Sequence, residues 1–462
     1  MPTPTYSDTL TGTAGSDLKA HTSDSGATYT SFTAGSPTNT LMVIGSAGGA
    51  LVASAAGTTA NAQSNFPTPT GIWSRVSTIK RYGTPPANSN QGATCYAIGE
   101  VQFYLPRVTR AGGTSDQFQF VRTAGSSGAV ITPLVNVSGV AGDVWTLLEF
   151  YIPFGSTLIV AVGILKNGAS LASYITVDSS PLTPTSSFLG IRGDYGSGAA
   201  PSDTNGYELV SVSYSAVTQG SFLDTFVATA GTLIENRSTD SGHTWTKMGG
   251  SSTVINPSGE SWANGNAAGT AYYVSYTPQA NCPIFFDFIF HSDLQEDLGI
   301  CYCRPNTTSD SCYQIRRSSN GTSSSYFQFL TFASGTPIVN ITDATVTMTV
   351  GHTYRVTVLQ SGTGAFMFLA QDLTAATAPV VLFNGPIVDA TYSTGLLELS
   401  AMNARNTGIS QTGKSVVNPT CGSVMSATVA AKAPSMASST AGIYPPNAVH
   451  TMTSRTRTLP GR

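Results

Sequence analysis

The 462-residue sequence predicts an all-β protein of two tandem antiparallel β-sandwich domains followed by an extended C-terminal tail. Three observations lead there. Asp, Glu, Lys and Arg make up only 10% of the chain, against roughly 25% in an ordinary soluble domain, so the surfaces of long helices have little to fill them. Thr, Val, Tyr and Phe recur on alternating positions between Gly- and Pro-rich breaks, which is the pattern of strands and turns. Finally, residues 8–30 (DTLTGTAGSDLKAHTSDSGATYT) return without a gap as residues 224–246 (DTFVATAGTLIENRSTDSGHTWT), with ten of 23 positions identical.

The repeat sets the domain organisation. Its offset of 216 positions is far longer than the roughly 20–50-residue unit of a solenoid, and it matches the length of a whole sandwich. Domains are expected at 1–218 and 219–432, each large enough to bury its own core. Within each copy the Asp-Ser-Gly tripeptide, at 24–26 and 240–242, reads as a turn in which Asp caps backbone N–H groups and Gly takes a positive φ. Tyr29 and Trp245 follow as core aromatics.

Strand candidates in the first half run 41–44, 50–54, 72–80, 95–105, 117–122 and 130–137. Residues 144–166 (VWTLLEFYIPFGSTLIVAVGILK) read as a hairpin of two buried strands turning at 153–156, and Asn167 with Gly168 marks another tight turn. Segments 188–192 and 207–217 close the domain. The second half repeats this more loosely, with strands at 271–276, 284–290, 298–303, 313–317 and 326–332. A hairpin of 352–360 with 365–372 matches the earlier one, and 396–403 and 424–430 finish the domain. Residues 433–462 hold no acidic residue but carry Arg455, Arg457 and Arg462. This tail is too polar to fold alone and is expected to be disordered or to order against a partner.

The block D-x-F/L…G-T/S-x-L…D-S-G-x-x-W/Y, with strands ending in a buried hairpin and a last apolar strand, resembles concanavalin A-like lectin/glucanase domains. These are jelly-roll sandwiches that recur in tailed-phage virion proteins. The resemblance covers roughly 6–217 and 222–431, with specific motifs only in the N-terminal block. It implies that first and last strands pair, Asp8 near 207–217 and Asp224 near 424–430. It leaves function open, because one fold hosts lectins, hydrolases and structural modules.

Hydrolases of this fold carry alternating carboxylates on one strand, as nucleophile and acid about 5–5.5 Å apart. No such motif occurs. Residues 293–297 (DLQED) hold adjacent carboxylates, and Glu149 and Glu208 stand without a partner two residues away. The five histidines are scattered, so no enzyme, cofactor or metal site is expected. Cys301 and Cys303 fall on one face of a strand, near Cys282 and Cys312. Disulfides, buried thiols and a metal ligand set all remain open for them.

Sugar binding rests on aromatics beside amides: Trp262 with Asn264 and Asn266 in a Gly-rich stretch, Trp73, and Tyr195 with Asp194. Packing in a core or an interface is the competing reading for each. A net charge of −3 argues against nucleic-acid binding, and no apolar run is long enough to span a membrane. The opening residues, Met1 to Asp8, do not read as a signal peptide, so no export by that route is expected, yet the texture is the neutral, Thr-rich one of extracellular proteins. A non-enzymatic virion structural protein is therefore expected, in a capsid-decoration or tail position. Its partners would be other virion proteins and copies of itself, with a carbohydrate-binding adhesin as the alternative.

Overall fold

In a computed structural model, the chain is built almost wholly of antiparallel strands. The structure describes residues 6–421, apart from 34–41, 46–48, 53–57, 99–101, 111–114, 125–126, 131–134, 155, 196–205, 217–221, 225–227, 230, 251–252, 256–260, 264–269, 275–276, 278–282, 291–296, 305–310, 320–324, 361–363, 393–395 and 403–413.

Four sheets form two sandwiches. Sheet 1A runs Ala169–Asp178, Thr157–Lys166, Val144–Phe154, Trp73–Tyr82, Gly206–Ala216, Ala50–Val52 and Met42–Ile44. Sheet 1B faces it and runs Ser127–Val130, Gln117–Ala124, Gln102–Thr109, Asn90–Ile98, Phe188–Tyr195, Thr58–Pro67 and Tyr29–Thr33. Sheets 2A and 2B repeat this order. At their centres, Ile284–Phe290 lies between Lys414–Cys421 and Thr353–Gln360, and Asp297–Arg304 lies between Leu396–Met402 and Cys312–Ser319.

The N-terminal strand pairs with the closing strand in both copies. Tyr6 sits opposite Tyr214, and Phe222 opposite Cys421. The second closing strand is therefore Lys414–Cys421, upstream of the expected 424–430, which lies outside the described residues. The predicted hairpin spans Val144–Phe154 and Thr157–Lys166, and Asn167 and Gly168 follow with φ of 52° and 80°, the signs a type I′ turn requires. The single strand expected at 95–105 is two antiparallel strands, Asn90–Ile98 and Gln102–Thr109, because the chain reverses between Ile98 and Gln102, with a bulge at Tyr96 (φ 54°) inside the first. Thr58–Pro67 (TTANAQSNFP) escaped prediction because its core-facing positions are Ala60, Ala62 and Ser64.

The long apolar run of the hairpin has a physical reason: both of its faces are buried, as in strands covered on two sides. Trp145, Leu147 and Tyr151 face the core of the first sandwich. Leu148, Phe150 and Ile152 face outward and join Ala161, Leu165 and Ile72 in one cluster with Phe285, Leu359, Ala365, Met367 and Leu369 of sheet 2A. The sandwiches thus dock through corresponding sheets. Gly163 makes room at this contact, since a Cβ there would lie 2.9 Å from Met367 Sδ and 3.3 Å from Pro386.

Candidate functional site

The repeated N-terminal block builds the same anchor twice. Asp8, at 1% exposure, takes a 2.6 Å hydrogen bond from the Tyr29 hydroxyl, and its Oδ1 lies 2.9 Å from His21 Nε2. Asp224, equally buried, takes a 2.6 Å bond from Trp245 Nε1 and a two-pronged contact from Arg237. His21 and Tyr29 occupy the block positions of Arg237 and Trp245. The turn behaves as predicted, with Gly26 and Gly242 at φ 84° and 83° and Asp24 Oδ2 accepting from the Thr9 amide at 2.9 Å. Asp8 and Asp224 fix the first strand from inside the fold, and the exposed Asp-Ser-Gly turns cap backbone groups at its edge, so the block builds structure.

A second buried carboxylate sits in the middle of the first sandwich. Glu149 and Arg75 face each other across neighbouring strands and are fully buried. Arg75 Nε donates to Glu149 Oε2 at 3.0 Å, the Tyr151 hydroxyl donates to the same oxygen at 2.7 Å, and Arg75 Nη1 donates to the Tyr214 hydroxyl at 3.2 Å. Cys95 lies beside this cluster, and burial pushes its thiol up to about 12, so it is held as an unreactive thiol.

Trp73 belongs to this interior. It is fully buried on the Trp73–Tyr82 strand and stacks on Tyr151 at 4.0 Å, so its assignment to a surface sugar site is corrected: its apolar ring is used in the core. Trp262 lies on the short Ser261–Ala263 strand, with Val254 opposite. Asn264, Asn266, Arg455, Arg457 and Arg462 fall outside the described residues. Cys303 takes a φ of 57° at a bulge between Cys301 and Arg304. Strict alternation fails there, which removes the basis for placing both thiols on one face. Cys303 is instead buried 3.7 Å from Gln360 Oε1.

The residues best arranged to meet a ligand lie on the outer face of sheet 1B. Tyr104, Val108, Phe118, Phe120, Leu189 and Ile191 point into the core, so alternation turns Arg107, Gln119, Arg192 and Asp194 outward. Arg107 Nε donates to Gln119 Oε1 at 2.9 Å, and its Nη1 donates to Asp194 Oδ2 at 3.3 Å. Asn90 Nδ2 donates to the same Asp194 oxygen at 2.8 Å. Arg192 lies over the Phe103 ring at 4.7 Å. Burial pulls the Arg107 guanidinium below its usual range; Asp194 opposes that pull and Arg192 adds to it.

Small residues form the floor between these long side chains. Gly92 lies opposite Arg107 and Arg192, and a Cβ there would meet the Pro106 carbonyl at 2.2 Å. Gly190 lies opposite Thr94, whose hydroxyl would be 2.7 Å from a Cβ. Among the described residues of this face, Asn90 Oδ1, Thr94 Oγ1 and Asp194 Oδ1 are buried acceptors with no hydrogen-bond partner. Asn90 and Thr94 are 5% and 1% exposed, while the Arg107, Arg192 and Asp194 side chains keep 16–23% of their surface in solvent.

Sheet 2B carries the same frame. Gly299 lies opposite Arg316, with a Cβ only 2.2 Å from the Ile315 carbonyl, and Arg316 Nε donates to Gln328 Oε1 at 2.7 Å. The Arg-to-Gln separation is 12 residues in both copies. That recurrence is the sequence signal that could have found the face, and only Asp194 of it was singled out from sequence.

No family model and no curated protein matches the chain. Among solved structures it is similar to the carbohydrate binding module CBM66 from Bacillus subtilis, at 13% identity and a TM-score of 0.29, over 39% of this chain and 95% of that one. It is also similar to a Bacillus licheniformis beta-glucanase, at 11% identity and a TM-score of 0.30, over 44% and 99%. The lectin UEA-II complexed with galactose matches at 9% identity and a TM-score of 0.28, over 40% and 92%.

Proposed function

We propose that this chain is a non-enzymatic, lectin-like protein that binds a polyhydroxylated ligand, a glycan, on the outer face of sheet 1B. The observation that carries this reading is the set of unpaired buried acceptors, Asn90 Oδ1, Thr94 Oγ1 and Asp194 Oδ1, beside partly exposed guanidinium groups. Buried polar groups are nearly always paired, and leaving one unmade costs about 1–3 kcal/mol. Sugar hydroxyls supply the donors these acceptors lack, with water in their place when no ligand is bound.

The absence of catalysis is supported by how the carboxylates are used. Glu149 is fully buried against Arg75, and Asp287 is held by Arg355 through two 2.7 Å bonds, so neither is presented to a substrate. The test is retention of the full-length chain on a polysaccharide panel. Asn90→Ala and Thr94→Val should abolish retention while leaving the thermal midpoint nearly unchanged. Cleavage of any retained polysaccharide by the purified protein would overturn the non-enzymatic reading.

The setting we propose is a virus particle, where the chain serves as a capsid-decoration or tail protein with residues 433–462 as a tether. A chain with only 10% charged residues and an apolar contact between a sheet of each sandwich suit a subunit packed among neighbours. Co-purification with particles at a fixed copy number checks this. A chain found only free in solution contradicts it.

A further inference from the structure

We propose that the glycan bound at sheet 1B is acidic, with its carboxylate read by the Arg192 guanidinium and its hydroxyls by Asn90, Thr94 and Asp194. This rests on the glycan reading above and narrows it to one class of sugar.

The argument starts from charge. Among the described residues, Arg107 and Arg192 share a single carboxylate, Asp194, so two cations of this face have one counter-charge between them. Asp194 is committed to Arg107 at 3.3 Å and to the Asn90 amide at 2.8 Å. Arg192 stands 3.9 Å from its other oxygen, which is ion contact without a hydrogen bond. Among the described residues Arg192 donates no hydrogen bond. Its guanidinium is positioned over Phe103, a contact that holds the cation in place through the ring's π-face. A positioned, partly desolvated guanidinium with unused donors suits a carboxylate, which it grips through two parallel bonds. A neutral sugar would cover that cation with only the 3.9 Å contact to the shared Asp194 to balance it, which is less favourable.

The second sandwich shows what the frame looks like without this chemistry. Arg192 lies opposite Gly92, and the residue opposite Gly299 is Ser400. Asp194 lies opposite Asn90, and the corresponding pair is Met402 with Asp297. The Arg316–Gln328 scaffold is kept there, but the second arginine is not.

The experiment measures binding of the full-length chain to matched oligosaccharide pairs, glucuronate against glucose and galacturonate against galactose. Wild type, Arg192→Met, Arg192→Lys and Asn90→Ala are compared. The acidic member should bind about tenfold tighter or better, the size of one charge-assisted contact, and the preference should shrink with added salt. Arg192→Met should erase the preference, and Arg192→Lys should keep part of it. Equal binding of both members, lost in Asn90→Ala, overturns the acidic assignment and leaves the glycan reading standing. An acid preference unchanged in Arg192→Met overturns the role given to Arg192. Binding of neither member overturns the glycan reading itself.

Discussion

The two sandwiches share strand order, anchor carboxylate, bulge position and the Gly-Arg-Gln frame, yet differ in what they bury at matching points. Through the paired strands, Tyr6, Tyr214, Arg75 and Glu149 of the first line up with Phe222, Cys421, Ile284 and Val358 of the second. One core therefore holds the Arg75–Glu149 pair where the other holds Ile284 and Val358, next to Phe222, Phe286, Phe288, Phe327 and Phe329. Both solutions fold in the same frame. The lesson is that the frame tolerates exchange of buried chemistry, so a group kept at one site and absent from its twin is a candidate for function or specificity.

The largest effect should come from breaking the charged core. Glu149→Ala leaves Arg75 buried without its counter-ion and should cost about 3–5 kcal/mol in chemical denaturation. The double change Arg75→Met with Glu149→Leu, which imitates the second sandwich, should recover most of that loss. A double variant less stable than the single would show that the two cores are not interchangeable.

Next comes the anchor. Asp224→Ala strands Arg237 and should cost about 3 kcal/mol, whereas His21→Ala, on the partly accessible side of the first anchor, should cost about 1–2 kcal/mol. Transplanting Arg and Trp into the first copy (His21→Arg with Tyr29→Trp) should restore a stable anchor. At the contact between sandwiches, Gly163→Leu drives a side chain into Met367 and Pro386 and should cost about 1–3 kcal/mol. Faster hydrogen exchange confined to Thr157–Lys166 and Ala365–Asp372 would localise that effect, and unchanged exchange there would refute the contact.

The smallest difference is in acid. Asp143 is pushed up by burial, but the Lys166 ammonium, the Val140 amide and the Asn167 amide outweigh this and hold it at about 2. Asp372 and Asp389 of the second sandwich are likewise depressed: burial raises each, and hydrogen bonds from His352 and from Thr391 and Thr331 outweigh it. A depressed carboxylate stabilises the fold above the ordinary carboxylate pKa and loses that contribution as pH falls through its folded value. The first sandwich should therefore lose stability between about pH 4 and pH 2, and the second as pH falls below the ordinary carboxylate range. Lys166→Met should shift the first sandwich's loss to higher pH, and the second should not respond.

The fold was legible in the sequence because strand alternation and a gapless repeat are local signals. Residues 144–166 and 352–372 announced their hairpins through continuous apolar runs. The candidate face was not legible, because Asn90, Thr94, Arg107, Gln119 and Arg192 come from four strands and converge only when sheet 1B forms. Trp73 and Trp262 drew attention as large aromatics near glycines, but Trp73 follows a turn at Gly71 (φ 83°) that starts a core strand. The second half of the repeat was also obscured: Asp8 and Asp224 are identical, while their partners changed from His21 and Tyr29 to Arg237 and Trp245. Placement beside the buried carboxylate persisted there, and residue identity did not.

The central claim is that one sandwich of the two carries the ligand face. Isothermal titration of the full-length chain with the tightest-binding oligosaccharide of the acidic panel tests it most directly. The account predicts one ligand per chain, lost in Asn90→Ala with Thr94→Val. Two ligands per chain, or one that survives both substitutions, would contradict it.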